Sequence, residues 1–168
     1  MTLEELNSLP AGAADEEFLK CCGSMQWAKR MSDARPFSNA DELSSKADAI
    51  WWNLGEEDWL EAFRAHPKIG EKKAEATQTA QAQQWSANEQ SESQKAAADT
   101  KAALAEGNRE YEQRFGFIFI ICATGKSAEE ILAALNGRLI SDADAELRVA
   151  AEEQRKITQL RLQKLLEN

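Results

Sequence analysis

The chain has 168 residues, 43% of them apolar and 29% charged, and its 29 acidic against 20 basic side chains give a net charge of −9. That length suits one globular domain over residues 1–168, and the acidic balance, with no Lys/Arg stripe interleaved with aromatics, argues against a nucleic-acid partner. No stretch nears the ~18 apolar residues that span a bilayer, the first ten residues lack a basic-then-apolar leader, and the three cysteines are an odd set, so the expectation is a reduced, cytoplasmic protein with no membrane partner.

Helical periodicity dominates. A first helix is predicted over residues 2–9, closed by Pro10 and Gly12, and a second over 14–22, with Phe18, Leu19 and Cys22 inward and Gly23 as its stop. Ser24 is placed to cap a short helix through Met31. After Pro36, Ser38 opens a helix whose Leu43, Ala47, Ile50, Trp51 and Leu54 recur at helical spacing, a core stripe. Gly55 breaks it, and Glu56, Glu57 and Asp58 favour the positive end of the next helix dipole. That helix must stop at or before His66, because Pro67 disfavours the α conformation in its predecessor.

Residues 71–84 are polar and Ala/Gln-rich, and read as an exposed helix or a loop. Ser86-Ala87-Asn88-Glu89 has the spacing of a capping box and predicts a long helix from Ser86 to about Arg114. Residues 115–122 (FGFIFIIC) have the composition of a buried strand but no partner, which leaves an extended buried segment or a helix fragment. Ser127 opens a helix with Ile131, Leu132, Leu135 and Leu139 inward, and a last helix starts near Asp142. The fold class expected is all-α, a single-domain helical bundle.

His66 is the one imidazole, able to exchange a proton near neutral pH, and it sits at a forced helix end. A histidine bonding the last helical carbonyls would occupy the same place. Ser86 and Glu89 are explained by a helix cap alone, yet a carboxylate in a first turn can also pair with His66 or accept from a substrate N–H, and Gln90 beside it can donate and accept. Arg161 lies on the stripe Leu147, Ala150, Gln154, Ile157, Arg161, Leu165 of the last helix, where it either snorkels along an edge or meets an anion. Arg114 and Arg138 read as solvated helix-end cations. With one histidine and no CxxC pattern, no metal site is expected.

Taken together, His66-Pro67-Lys68-Ile69-Gly70, Trp85-Ser86-Ala87-Asn88-Glu89-Gln90, Phe115-Gly116-Phe117-Ile118-Phe119-Ile120 and Lys156-Ile157…Leu160-Arg161-Leu162 resemble the 2-oxo-4-hydroxy-4-carboxy-5-ureidoimidazoline (OHCU) decarboxylases, and Trp51 and the Trp59…Phe63 segment fit as well. The resemblance covers most of the chain. It departs at Ile118, where many relatives have Pro, and in the Ala/Gln-rich 71–84 segment. It implies a cofactor-free, metal-free, homodimeric carboxy-lyase that converts the anionic OHCU into (S)-allantoin in urate breakdown. By the same resemblance His66 is the catalytic acid/base, Glu89 orients it or binds ring or ureido N–H groups, and Ser86, Gln90 and Arg161 contact substrate. Pro67 shapes the wall, and the backbone of Phe119, Ile120 and Ile121 touches the ring. Two other readings stay open at this point: a non-catalytic helical interaction module, and a lyase or hydrolase acting on a different ureido acid.

Overall fold

The computed structural model describes residues 1–70, 79–93 and 97–167. Among them every regular element is helical: α1 (Leu3–Ser8), α2 (Ala11–Cys21), α3 (Met25–Asp33), α4 (Ala40–Trp52), α5 (Glu56–Arg64), α6 (Ala80–Glu89), α7 (Ala98–Phe115), α8 (Ala128–Leu139) and α9 (Ala143–Glu167). The chain is all-α. None of these helices is long and apolar enough to cross a membrane. Two compact units are formed, the first by Met1–Ala62 with Arg155–Asn168 and the second by Phe63–Gln154.

In the first unit the helix starts follow from side-chain oxygens at the N-cap. Thr2 and Glu5 make a reciprocal capping box, and Ser24 accepts from the Trp27 N–H at 3.2 Å. The cap of α4 is Asn39, one residue beyond the predicted Ser38, because the amide oxygen reaches the Glu42 N–H at 2.8 Å. α1 ends at Ser8 and Pro10 is the N-cap of α2, so Gly12, expected to help close α1, lies inside the second helix instead. Arg35 gathers carbonyls left over at the end of α1, donating to Leu6 O at 2.9 Å and Leu9 O at 2.7 Å. The core is aromatic. Phe18 meets Trp27 and Phe37 edge-on, and Trp27 and Trp59 satisfy their indole N–H groups on the carbonyls of Ala47 and Trp51. Gln159 bonds Ser44 and Asp48, and Arg155 pairs with Asp48, which anchors the C-terminal part of α9 on α4.

The second unit is built on α7 against α8. Gly107 faces Leu135 so closely that a Cβ there would lie 2.5 Å from Leu135 Cδ2, and the missing side chain is what allows this separation. Leu104, Tyr111, Phe119, Ile121, Ile131 and Leu135 form its core. α7 ends on Gly116 at φ +80°, left-handed as a helix-terminating glycine often is. Residues 118–123 then run without regular structure and largely buried, which agrees with the extended alternative for this segment.

Two expectations are overturned here. The Ser86–Glu89 capping box does not open a helix: α6 starts at Ala80 with Thr79 as its cap, and Ser86 lies within its last turns. Thr79 offers a hydroxyl to the Ala82 N–H, and the Ala/Gln run after it has high helix propensity, so helix forms before Ser86 is reached. Of the 71–84 reading, residues 71–78 lie outside the described residues, while 80–84 are helix. The predicted long helix is also divided, since α6 ends at Glu89 and α7 begins at Ala98. Ser93 Oγ donates to Gln90 O at 2.7 Å, meeting a carbonyl that a continuing helix would have used.

The second correction concerns Arg138, which is not solvated. Its guanidinium donates to Glu146 Oε1, to Ile120 O and to the Tyr111 hydroxyl, and it lies 4.6 Å from the Phe119 ring centroid. Tyr111 donates to the same Glu146 oxygen. Burial and that bond push the Tyr111 phenol well above its ordinary value. Arg114, by contrast, is exposed and bonds Ser141 O.

Candidate active site

α5 closes at Arg64, and the His66 N–H bonds back to Phe63 O at 3.1 Å, so the ring projects from the tightened turn that Pro67 enforces. His66 is 8% exposed and its Nε2 lies 2.6 Å from Oε1 of Gln154 on α9, a residue with no exposed surface at all. The stretch after His66 is tied down by side chains from two helices. Gln90 Oε1 accepts from the Gly70 N–H at 2.9 Å, Asn108 donates to Ile69 O at 3.3 Å, and Lys68 pairs with Glu112 at 2.9 Å. Gly70 has φ +91°, a conformation that a side chain would strain.

The 118–123 segment is held from the opposite side. Arg138 takes the Ile120 carbonyl, and Glu153 Oε1 accepts from the Cys122 N–H at 3.2 Å. Among the described residues the N–H groups of Phe119, Ile120 and Ile121 meet no acceptor although all three residues are buried. Buried backbone donors are rarely left so, and a row of them suits an anion or a carbonyl-bearing ligand. Burial, then the Glu153 carboxylate and, more weakly, that of Glu89 raise the Cys122 thiol above its ordinary value.

Hydrogen bonds within the second unit tie Gln90 to the stretch after His66, and tie His66 and the 118–123 segment to adjacent residues of α9. Gln90 accepts from the Gly70 N–H, Cys122 bonds Glu153, and the next residue, Gln154, holds the ring. Ser86, Glu89 and Gln90 lie at i, i+3 and i+4 and so share one face of α6, at its C-terminal end. Glu89 is the last residue of α6 and so gains nothing from a helix N-terminus. Pro67 is buried beside the ring. A cavity of 430 Å³ lined by Ile69, Lys101, Leu104, Asn108, Arg109 and Glu112 borders the same loop, but none of the nine expected site residues lines it and it holds no histidine.

Arg161 belongs to the first unit, where it is buried and donates to Lys20 O at 3.2 Å. Its cation counters, in part, the burial that pushes the thiols of Cys21 and Cys22 up to about 12. Two residues escaped the sequence reading, Gln154 and Arg138. The first appeared only as a stripe position; the second was taken for a surface cation. Among the described residues no group of three His, Cys, Asp or Glu side chains is placed to hold a metal ion.

The family model for OHCU decarboxylase matches residues 7–163. The chain belongs to the OHCU decarboxylase family. A uric acid degradation bifunctional protein of Arabidopsis thaliana is 41% identical over 90% of this chain, which spans 47% of that longer protein. A 2-oxo-4-hydroxy-4-carboxy-5-ureidoimidazoline decarboxylase of Haloferax volcanii is 32% identical, with 96% of this chain and 94% of the relative aligned. A crystal structure of OHCU decarboxylase in the presence of (S)-allantoin superposes with a TM-score of 0.79 at 41% identity, covering 91% of this chain and 99% of that one. The family therefore accounts for the four motifs that carried the resemblance.

Proposed function

We propose that the chain decarboxylates OHCU to (S)-allantoin, a carboxy-lyase reaction of urate degradation, with His66 as the acid/base. The observation that carries this reading is a buried, hydrogen-bonded sole histidine beside a buried backbone whose N–H groups meet no acceptor among the described residues, in a chain of this family. The family match spans both units, which supports treating 1–168 as one functional domain. A homodimer in the cytoplasm is the proposed setting, carried over from the resemblance and the cysteine content.

Loss of carbon dioxide breaks one carbon–carbon bond and leaves its electron pair in the ring as an enolate-like intermediate. That charge must be stabilised and a proton delivered to one face. Donors already fixed in place suit the first task, and the N–H groups of Phe119, Ile120 and Ile121 are of that kind. A single imidazole hydrogen-bonded to Gln154 suits the second. Gln90 spends its carbonyl on Gly70 and so offers N–H to a substrate oxygen, while Glu89 accepts from ring or ureido N–H groups, with Ser86 beside it. Pro67 forms wall. Arg161 is assigned to the substrate carboxylate as a binding group, because that carboxylate loses its charge as carbon dioxide departs and a grip on it favours the ground state over the transition state.

The test is to generate OHCU in situ from urate and to follow its decay by ultraviolet absorbance, with circular dichroism reporting optically active allantoin. Catalysed decay with one enantiomer formed is expected; a rate equal to the spontaneous one would sink the assignment. His66→Ala should abolish turnover in a folded protein, and Arg161→Ala should act mainly on KM.

A further inference from the structure

Arg138 reaches the 118–123 segment from α8 and donates to the Ile120 carbonyl, while its other N–H groups go to Glu146 and to the Tyr111 hydroxyl. The fully buried Glu146 carboxylate and the Phe119 ring, 4.6 Å away, fix the guanidinium in place. Stability alone does not account for such a pair, because apolar side chains of similar volume fill a buried site as well. Holding a carbonyl still, however, needs a donor. The peptide joining Ile120 to Ile121 is trans and planar, so its C=O and N–H point in opposite directions. The bond from Arg138 to the Ile120 oxygen therefore aims the Ile121 N–H away from the guanidinium. A cation on that oxygen also draws electrons from the nitrogen and makes its N–H a stronger donor. The next peptide is held as well, since Glu153 takes the Cys122 N–H at 3.2 Å. Ile121 is thus anchored through both flanking peptides, while its own buried N–H meets no acceptor among the described residues.

From this geometry we infer that Arg138 is a positioning residue for the reaction: through the Ile120 carbonyl it orients and polarises the Ile121 N–H, the donor that meets the negative charge left as carbon dioxide departs. The inference rests on the role proposed above for this backbone. A donor aimed at charge that develops only during the reaction acts on kcat and leaves substrate binding nearly as it was.

Ile120-Ile121 is the only pair of adjacent isoleucines in the sequence. Protein labelled in isoleucine alone, with ¹³C at the carbonyl and ¹⁵N at the amide, therefore shows one amide split by carbon–nitrogen coupling, that of Ile121. Arg138→Met should move this ¹⁵N signal upfield, as the cation leaves the carbonyl, and should lower kcat by roughly 10- to 100-fold with KM little changed. The double variant Arg138→Met/Glu146→Met separates positioning from stability. It lacks the stranded carboxylate and is the more stable of the two, yet its Ile120 carbonyl still has no donor, so the upfield signal and the low kcat should both persist. It also decides the matter if the single variant fails to fold. A kcat that recovers along with stability in the double variant, an effect confined to KM, or an Ile121 signal at its wild-type position would overturn the inference. Absence of turnover in the wild type would sink the role of the backbone and this inference with it, whereas turnover undiminished by the loss of Arg138 would sink this inference alone.

Discussion

Replacing Arg138 with methionine should destabilise the protein far more than the loss of a helix-end cation would. Glu146 has no exposed side-chain surface, its Oε1 accepts from both Arg138 and Tyr111, and its Oε2 has no partner among the described residues. Arg138→Met leaves this carboxylate buried on one tyrosine hydroxyl, and removing one partner of a buried pair costs about 3–5 kcal/mol. Arg138 retains 12% side-chain exposure, through which water can reach the site, so the lower end, about 3 kcal/mol, is expected. With a urea m-value of about 2 kcal/mol/M, the midpoint should fall by roughly 1.5 M in melts followed by far-ultraviolet circular dichroism. The double variant Arg138→Met/Glu146→Met should be more stable than the single one, because an apolar pair removes the stranded charge, although the Ile120 carbonyl stays unmet as in the single variant and the Tyr111 hydroxyl joins it. A loss below about 1 kcal/mol in the single variant, together with additive effects in the double, would refute the network as described.

Alkaline stability should be governed by the buried thiols. Because burial holds Cys21 and Cys22 at about 12, the folded protein keeps protons that the unfolded chain releases from pH about 9 upward, so stability should fall through that window by up to about 1.4 kcal/mol per pH unit per thiol. Urea midpoints that stay level between neutrality and pH ~10.5 would contradict this sign. Gly107→Ala places a methyl group 2.5 Å from Leu135 Cδ2 and should cost about 1–2 kcal/mol after the gain in helix propensity; a stabilised variant would mean the α7–α8 separation is not set there. Ser24→Ala removes the hydroxyl that accepts from Trp27 and should lower stability by about 1 kcal/mol, read as a shift in thermal midpoint.

Helix starts were legible wherever one short polar side chain stood before an apolar-periodic run, as at Ser24 and Ser127. The spacing failed where two candidates competed. Thr79 and Ser86 carry the same cap chemistry, and only the Ala/Gln run between them, judged by propensity instead of apolar content, decides for the first. The 115–122 segment was legible only in part, because the lack of a partner excluded a strand while an extended run and a helix fragment both stayed open. His66 stood out by chemistry, being the one side chain that titrates near neutrality. Gln154 had no such mark: an uncharged amide on an inward stripe becomes informative only when its neighbour in space is known. Arg138 was misread for a similar reason. Its position in the last turn of α8 invites the helix-dipole explanation, whereas its partner Glu146 lies beyond a turn whose path the sequence does not give.

The polar groups of α9 also bear on which length changes the chain can tolerate. Glu146 meets Arg138 near the start of that helix, and Gln154 meets His66 two turns later. Adding or deleting one residue between them would rotate everything after it by about 100° and shift it by about 1.5 Å. The Arg138 pair would survive while the contact to the imidazole would be lost. A loop absorbs such a change, but an unbroken helix carries it undiminished, so helical phase between positions 146 and 154 is as much a requirement of the site as the identity of either residue.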